Sequence, residues 1–158
     1  MKTEELSIAL LERLKLAGKT LSTAESCTGG GIGHVLTAVP GSSAVYSGGV
    51  ISYTNVVKAA VLGVPEEILL EKGAVSPETA VAMAEGVRSR LATDYAVSVT
   101  GIAGPDGDGS GKPVGLVYIG VAGPDKSEAV EYLFSGGRTA VREQAVQAAL
   151  LQLMRVIK

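Results

Sequence analysis

Residues 20–39 read TLSTAESCTGGGIGHVLTAV. Thr20 to Glu25 is a short strand candidate, and from Cys27 to about Val39 the apolar residues return at helical spacing until Pro40-Gly41 stops them. A strand feeding a helix is the building unit of α/β folds. The unit recurs downstream. Gly49 to Tyr53 is rich in β-branched residues, and Asn55 to Leu62 is a short helix ended by Gly63. Pro65 opens another helical turn. Ser76-Pro77 then starts a helix to about Leu91, with a hydroxyl at the cap and proline at the first helical position. YAVSVT (95–100) is an apolar strand.

Upstream, Leu6, Leu10 and Leu14 make a stripe at spacing four, predicting a helix over 4–17 that Thr3 can cap and Gly18 can end. Downstream, residues 101–113 are too glycine-rich for regular structure. Val114–Ala122 and Glu128–Phe134 are strands joined by a turn of hairpin length, and a helix follows from about Thr139 to Ile157. Strands separated by helices need crossovers and parallel pairing, whereas the late hairpin pairs antiparallel. The expectation is a mixed sheet with helices packed on its faces.

The chain has 158 residues, a length suited to one domain, here expected over 1–158. Its mean hydropathy of +0.32 excludes a disordered tail. No apolar run approaches a membrane span and nothing near Met1 has a signal-peptide layout. Lys and Arg number 14 against 16 acids, without a basic stripe, and there is one Phe and no Trp, so neither nucleic acid nor membrane is an expected partner. One cysteine, Cys27, excludes an internal disulfide and a Cys-based metal site, and together with the missing leader leads to a cytoplasmic expectation. One histidine with scattered acids gives no metal constellation. The apolar excess in so small a chain leads to the expectation of a homo-oligomer. Glycine is the outlier: 21 of 158 residues, about twice its usual share, gathered in clusters that must serve turns or close approaches.

Four places combine such glycines with reactive side chains. Between the first strand and its helix stand Ser26, Thr28, Gly29 and Gly30, where ligands of open α/β sheets bind and unpaired N–H groups attract an oxyanion. The alternative is a helix cap with packing glycines, which the local pattern by itself favours. Tyr53 and Lys58 flank the start of the 55–62 helix. A lysine among Val56, Val57, Ala59, Ala60 and Val61 is either a desolvated base or a snorkelling surface cation, and the stretch by itself favours the latter. Thr100 and Gly101 end a strand, as a wall of the same cleft, followed by a loop that is a lid or a mere tip. Arg138 and Arg142 share a face at the N-terminal end of the last helix, where a cation is out of place unless it meets an anion or a carboxylate such as Glu143. Thiol catalysis by Cys27 with His34 is disfavoured because the two lie two helical turns apart. The glycine run has neither dinucleotide nor P-loop spacing.

The blocks AESCTGG (24–30), PGSS (40–43), GGVISYTNVVKAAVLGV (48–64), GAVSPETA (73–80), SVTGIAGPDG (98–107), KPVGLVYIG (112–120) and FSGGRTAVR (134–142) occur in that order. Together they resemble the C-terminal domain of competence/damage-inducible protein A (CinA), from about Leu6 to the end of the chain. The resemblance implies an α/β fold, a three-layer α/β/α sandwich with a mixed, mostly parallel sheet. It implies a serine–lysine amidase that hydrolyses the carboxamide of nicotinamide mononucleotide to nicotinate mononucleotide and ammonia, with no metal and no cofactor. By motif it carries over Ser26 as nucleophile, Lys58 as base and Tyr53 as third member, orienting the lysine and relaying a proton. A substrate pocket would draw on Thr28, Gly29, Gly30, Ser43, Thr100, Gly101, Arg138 and Arg142, with N–H groups at the start of the 27–39 helix holding the oxyanion. The competing readings are a pyridine-nucleotide-binding module without turnover and an amidase for another small carboxamide.

Overall fold

The structure is a computed structural model describing residues 2–157; Met1 and Lys158, the outermost residues of the expected domain, lie outside the described residues. Helix α1 (Thr3–Ala17) leads into strand β1 (Leu21–Glu25) and helix α2 (Gly31–Thr37). A 3-10 turn (Ser42–Ala44) precedes β2 (Tyr46–Ile51), α3 (Asn55–Leu62), α4 (Glu66–Glu71) and α5 (Pro77–Leu91). Strands β3 (Tyr95–Gly101), β4 (Leu116–Ala122) and β5 (Ser127–Leu133) and helix α6 (Arg138–Val156) complete the described elements.

The five strands lie in the order β2-β1-β3-β4-β5. β1 pairs in parallel with β2 and β3; β4 pairs antiparallel with β3 and β5. Four strands thus run one way and β4 opposes them. The period-two alternation of β3 sorts its side chains by face. Val97 and Val99 pack with Leu10 and Leu14 of α1, Ile32 and Leu36 of α2 and Leu150 and Leu153 of α6. Ala96 joins Ala24, Leu62, Met83 and Val87 on the face covered by α3 and α5. Small residues on that second face let α5 sit close: the Ser98 hydroxyl donates to the Ala80 carbonyl at 2.5 Å. The α/β/α layering therefore follows from large apolar residues on one face and small ones on the other.

Helix α3 is the element that carries Lys58, and its seat depends on Gly86 of α5. A Cβ there would run into the Leu62 main chain, standing 3.0 Å from its carbonyl carbon. Gly86→Ala is expected to force the two helices apart and cost about 2 kcal/mol, a fall of roughly 6 °C in the thermal midpoint. An unchanged melting curve would mean that α3 has slack on α5.

Several boundaries differ from the sequence expectation. α1 is capped at Lys2, whose N–H meets the Glu5 carboxylate at 3.1 Å, and Thr3 is already helical. α2 begins four residues later than Cys27, because Gly29 (φ 58°) and Gly30 (φ 101°) are left-handed and delay helical geometry. β2 starts at Tyr46 and ends at Ile51. Its pairing with β1 from Leu21↔Tyr46 extends a strand through Gly48 and Gly49 against their propensity.

Candidate active site

Ser26 follows β1 directly. Its N–H donates to the Val99 carbonyl at 2.9 Å, so the ladder to β3 continues past the end of β1, and the Glu25 carbonyl accepts from Ser52 N–H at 2.8 Å, one residue past the end of β2. The chain then turns through Gly29 and Gly30. This turn leaves the Ser26 hydroxyl at the carboxyl end of β1, between β2 and β3.

Lys58 reaches the same point from α3, whose start is capped by the Thr54 hydroxyl accepting from Val57 N–H at 3.4 Å. Only 1 % of Lys58 is exposed, so the snorkelling alternative does not hold. Its Nζ donates to Ser26 Oγ at 3.0 Å, to the Ser52 carbonyl at 2.9 Å and to the Tyr53 carbonyl at 3.1 Å. Burial among apolar neighbours lowers its pKa from 10.5 to about 8. An ammonium has three hydrogens for these three acceptors. A neutral amine has two, and the two carbonyls can only accept. The lone pair of the neutral amine must therefore face Ser26 Oγ, the one partner able to donate to it. The serine hydrogen has another acceptor, the Tyr53 carbonyl at 3.5 Å, while the lysine is charged.

A cavity of about 230 Å³ opens on this pair, walled by Cys27, Tyr53, Ala74, Val75, Thr100, Gly101 and Ala103, with Asp108 and Arg138 contributing charge. Thr100 is buried and donates to the Ala74 carbonyl at 2.7 Å, bracing the wall formed by the α4–α5 connection. Burial pushes the Cys27 thiol up to about 11, so it lines the cleft as a neutral thiol. Among the described residues no three His, Cys, Asp or Glu side chains gather as a metal site, and no helix is long and apolar enough to cross a membrane.

The remaining candidates are placed differently from one another. Tyr53 turns its hydroxyl to Arg138 Nη2 at 3.2 Å, so only its main-chain carbonyl orients the lysine. Arg138 also donates to the Gly104 carbonyl at 2.6 Å and stands at the cleft. Arg142 does not. Its Nε donates to the Cys27 carbonyl at 3.0 Å and its Nη2 to the Thr28 carbonyl at 3.2 Å, in place of an anion or Glu143. Thr28 and Arg142 line a separate groove of about 600 Å³ between α2 and α6. Gly29 and Gly30 shape the turn through their backbone. Ser43 is exposed in the 3-10 turn before β2, at the amino end of strands whose carboxyl ends carry Ser26, and so lies away from the cleft of this chain.

Two site features escaped sequence reasoning. Glu25 is buried, and its Oε1 accepts from the Thr28 hydroxyl at 2.7 Å and Ile32 N–H at 2.8 Å while Oε2 accepts from Gly33 N–H at 3.1 Å. The Ile32 and Gly33 N–H groups of α2 are thus taken by the chain's own carboxylate and are not open to an oxyanion. The signal was an acid just ahead of a glycine turn and helix, a capping arrangement disguised by the intervening residues. Asp108 sits in the glycine-rich loop, where no periodicity indicates which side chain turns inward.

Fold and site define an α/β/α domain with a buried serine–lysine pair at the carboxyl end of its central parallel strand. The CinA C-terminal domain model matches residues 3–157, and the chain belongs to that family. CinA-like proteins of Parasynechococcus marenigrum and a Cyanothece species are each 53 % identical over 154 residues, covering 96 % of this chain. The chain spans 37 % of the length of those relatives. Among solved structures, the competence/damage inducible protein CihA from Agrobacterium tumefaciens superposes with a TM-score of 0.95 at 42 % identity, covering 99 % of this chain and 96 % of that one. A CinA superfamily protein from Enterobacter cloacae gives 0.97 at 34 % identity, covering 100 % and 94 %.

Proposed function

We propose that this domain hydrolyses the carboxamide of nicotinamide mononucleotide, giving nicotinate mononucleotide and ammonia. The observation that carries the reading is the 3.0 Å contact between Ser26 Oγ and an occluded Lys58 Nζ. An amide is a weak electrophile with a poor leaving group, so the site must supply a nucleophile, a proton carrier and a seat for the oxyanion. Neutral Lys58 takes the Ser26 proton as Oγ attacks the carboxamide carbon. The resulting ammonium returns that proton to the departing nitrogen, and ammonia leaves. Water then adds to the acyl-serine with Lys58 again accepting a proton, which it gives back to Ser26 Oγ as nicotinate mononucleotide is released. Each turnover consumes one water. Tyr53 acts through its carbonyl on Lys58 and through its hydroxyl on Arg138, so the proton that leaves with ammonia comes from the lysine.

The substrate's phosphate needs a cation, and Arg138 is the arginine of the pair that faces the cleft. Its guanidinium is already bridged to Tyr53 and Gly104, which fixes its plane for a bidentate contact. Arg138→Ala is expected to raise KM for the mononucleotide about tenfold or more with kcat little changed. The same variant should treat the phosphate-free riboside as the unmodified protein does. Equal losses on both substrates would remove Arg138 from phosphate binding.

The direct test is release of ammonia from nicotinamide mononucleotide, run beside a panel of other carboxamides. Turnover of a different amide alone would reassign the substrate. Saturable binding of the mononucleotide with no ammonia would make this a binding module.

A further inference from the structure

We propose that Arg142 is the positioning residue of the nucleophile turn, setting the Thr28 N–H as an oxyanion donor beside that of Cys27. The inference rests on the reading of Ser26 as nucleophile.

Arg142 projects from α6 and spends its Nε and Nη2 on two successive main-chain carbonyls, Cys27 at 3.0 Å and Thr28 at 3.2 Å. Neutral carbonyls are modest partners for a half-buried guanidinium, and the contact makes sense as a clamp on the peptide planes. A trans peptide is planar, so its C=O and the following N–H point in opposite directions. Holding the Cys27 carbonyl against α6 therefore turns the Thr28 N–H away from α6. The peptide before it is set by the turn itself, since the Ser26 carbonyl accepts from Gly29 N–H at 3.0 Å and so orients the Cys27 N–H. The peptide after it is held at both ends, by Arg142 and the Gly31 N–H on the Thr28 carbonyl and by Ser26 on the Gly29 N–H. Among the described hydrogen bonds, the Thr28 N–H has no protein acceptor and the Cys27 N–H meets only its own thiol, while those of Ile32 and Gly33 are taken by Glu25. Two adjacent N–H groups with no oxygen acceptor, immediately after the attacking serine, have the form of an oxyanion seat.

Gly29 belongs to the same device. Its φ of 58° makes the left-handed bend that brings the Cys27 and Thr28 carbonyls to Arg142, and a Cβ there would meet Nη2 at an ordinary 3.4 Å. The cleft and the Arg142 groove lie on two sides of one turn, which is why Arg142 can act on the chemistry without touching substrate.

Two measurements test this on the intact chain. The first is steady-state hydrolysis of nicotinamide mononucleotide. Arg142→Ala should lower kcat about a hundredfold with KM within about twofold, the loss expected for one misaimed oxyanion donor. The rate should still rise with pH at its original position, because Lys58 is untouched, and Arg142→Lys should recover part of kcat. The second is the rate at which a fluorophosphonate labels Ser26, a step that forms the Oγ–P bond, expels fluoride and builds charge on the phosphoryl oxygen whatever the natural substrate; it should fall in parallel. Wild-type kcat and labelling in Arg142→Ala would overturn the proposal. So would a raised KM at unchanged kcat, which would make Arg142 a substrate contact. If Arg142→Ala does not fold, Arg142→Lys gives the same comparison, with a roughly tenfold drop in kcat expected and an unchanged kcat fatal. A parent chain that labels at Ser26 but releases no ammonia overturns the substrate reading alone, and the labelling ratio then decides Arg142.

Discussion

Ser26→Ala will fold normally and lose amide hydrolysis by about four orders of magnitude. The two halves of that expectation come from different atoms. The main chain of residue 26 is tied to Val99 by its N–H, and alanine keeps that bond. The side chain has only the Lys58 amine and the distant Tyr53 carbonyl as hydrogen-bond partners, so its removal disturbs little packing. Without Oγ the lysine has no proton to take and no acyl-enzyme can form. Ammonia release and circular dichroism measured side by side check both halves. Retained activity would move attention to the neighbouring thiol, and Cys27→Ala would be the next variant. That thiol is a poor substitute while burial keeps it protonated far above neutral pH.

Lys58→Met has the next largest expected effect, a loss of about a thousandfold or more in kcat. Its value is in the pH profile. In the proposed mechanism Lys58 works as the neutral amine, and burial lowers its pKa to about 8. For the unmodified chain, kcat/KM should therefore rise with pH through about 8 and level off above it. Lys58→Met should show a low rate without that rise. Lys58→Arg should be as inactive, since a guanidinium does not give up its proton in this range. Stability follows the same titration. The folded chain releases the Lys58 proton at a lower pH than the unfolded chain, so between about 8 and 10.5 the unfolded state binds more protons. Stability relative to Lys58→Met should increase as pH rises through that window, and charge burial weighs on the fold below it. A rate that rises instead through pH 6, or a flat profile in the unmodified chain, would sink the lysine assignment.

Much of the architecture is written in local signals. Asn55 to Leu62 folds as read because Gly63 supplies the left-handed stop, and Ser76 caps α5 because its hydroxyl accepts from Thr79 N–H at 3.1 Å. The order of strands and helices fixes parallel pairing before any coordinate is known. What local signals miss is set by partners distant in sequence. β2 runs through two glycines because β1 offers it a ladder. Nothing in VVKAAV distinguishes a buried lysine from an exposed one; the Ser52 and Tyr53 carbonyls and Ser26 make the difference. Arg138 and Arg142 look equivalent one turn apart, yet one faces the cleft and the other the back of the nucleophile turn. The PGSS motif points Ser43 to the pocket, whereas strand direction puts it at the opposite end of the sheet.

The ladder that continues past β1 to Ser26 has a consequence for motion. An amide bonded into the middle of a five-stranded sheet exchanges its hydrogen with solvent only when the whole domain opens. Deuterium should therefore enter the Ser26 amide as slowly as it enters β1 and β3, although the hydroxyl of the same residue borders a water-accessible cleft. The proposed nucleophile is thus carried on a residue tied into the sheet, and any yielding that admits substrate falls to the loops around it.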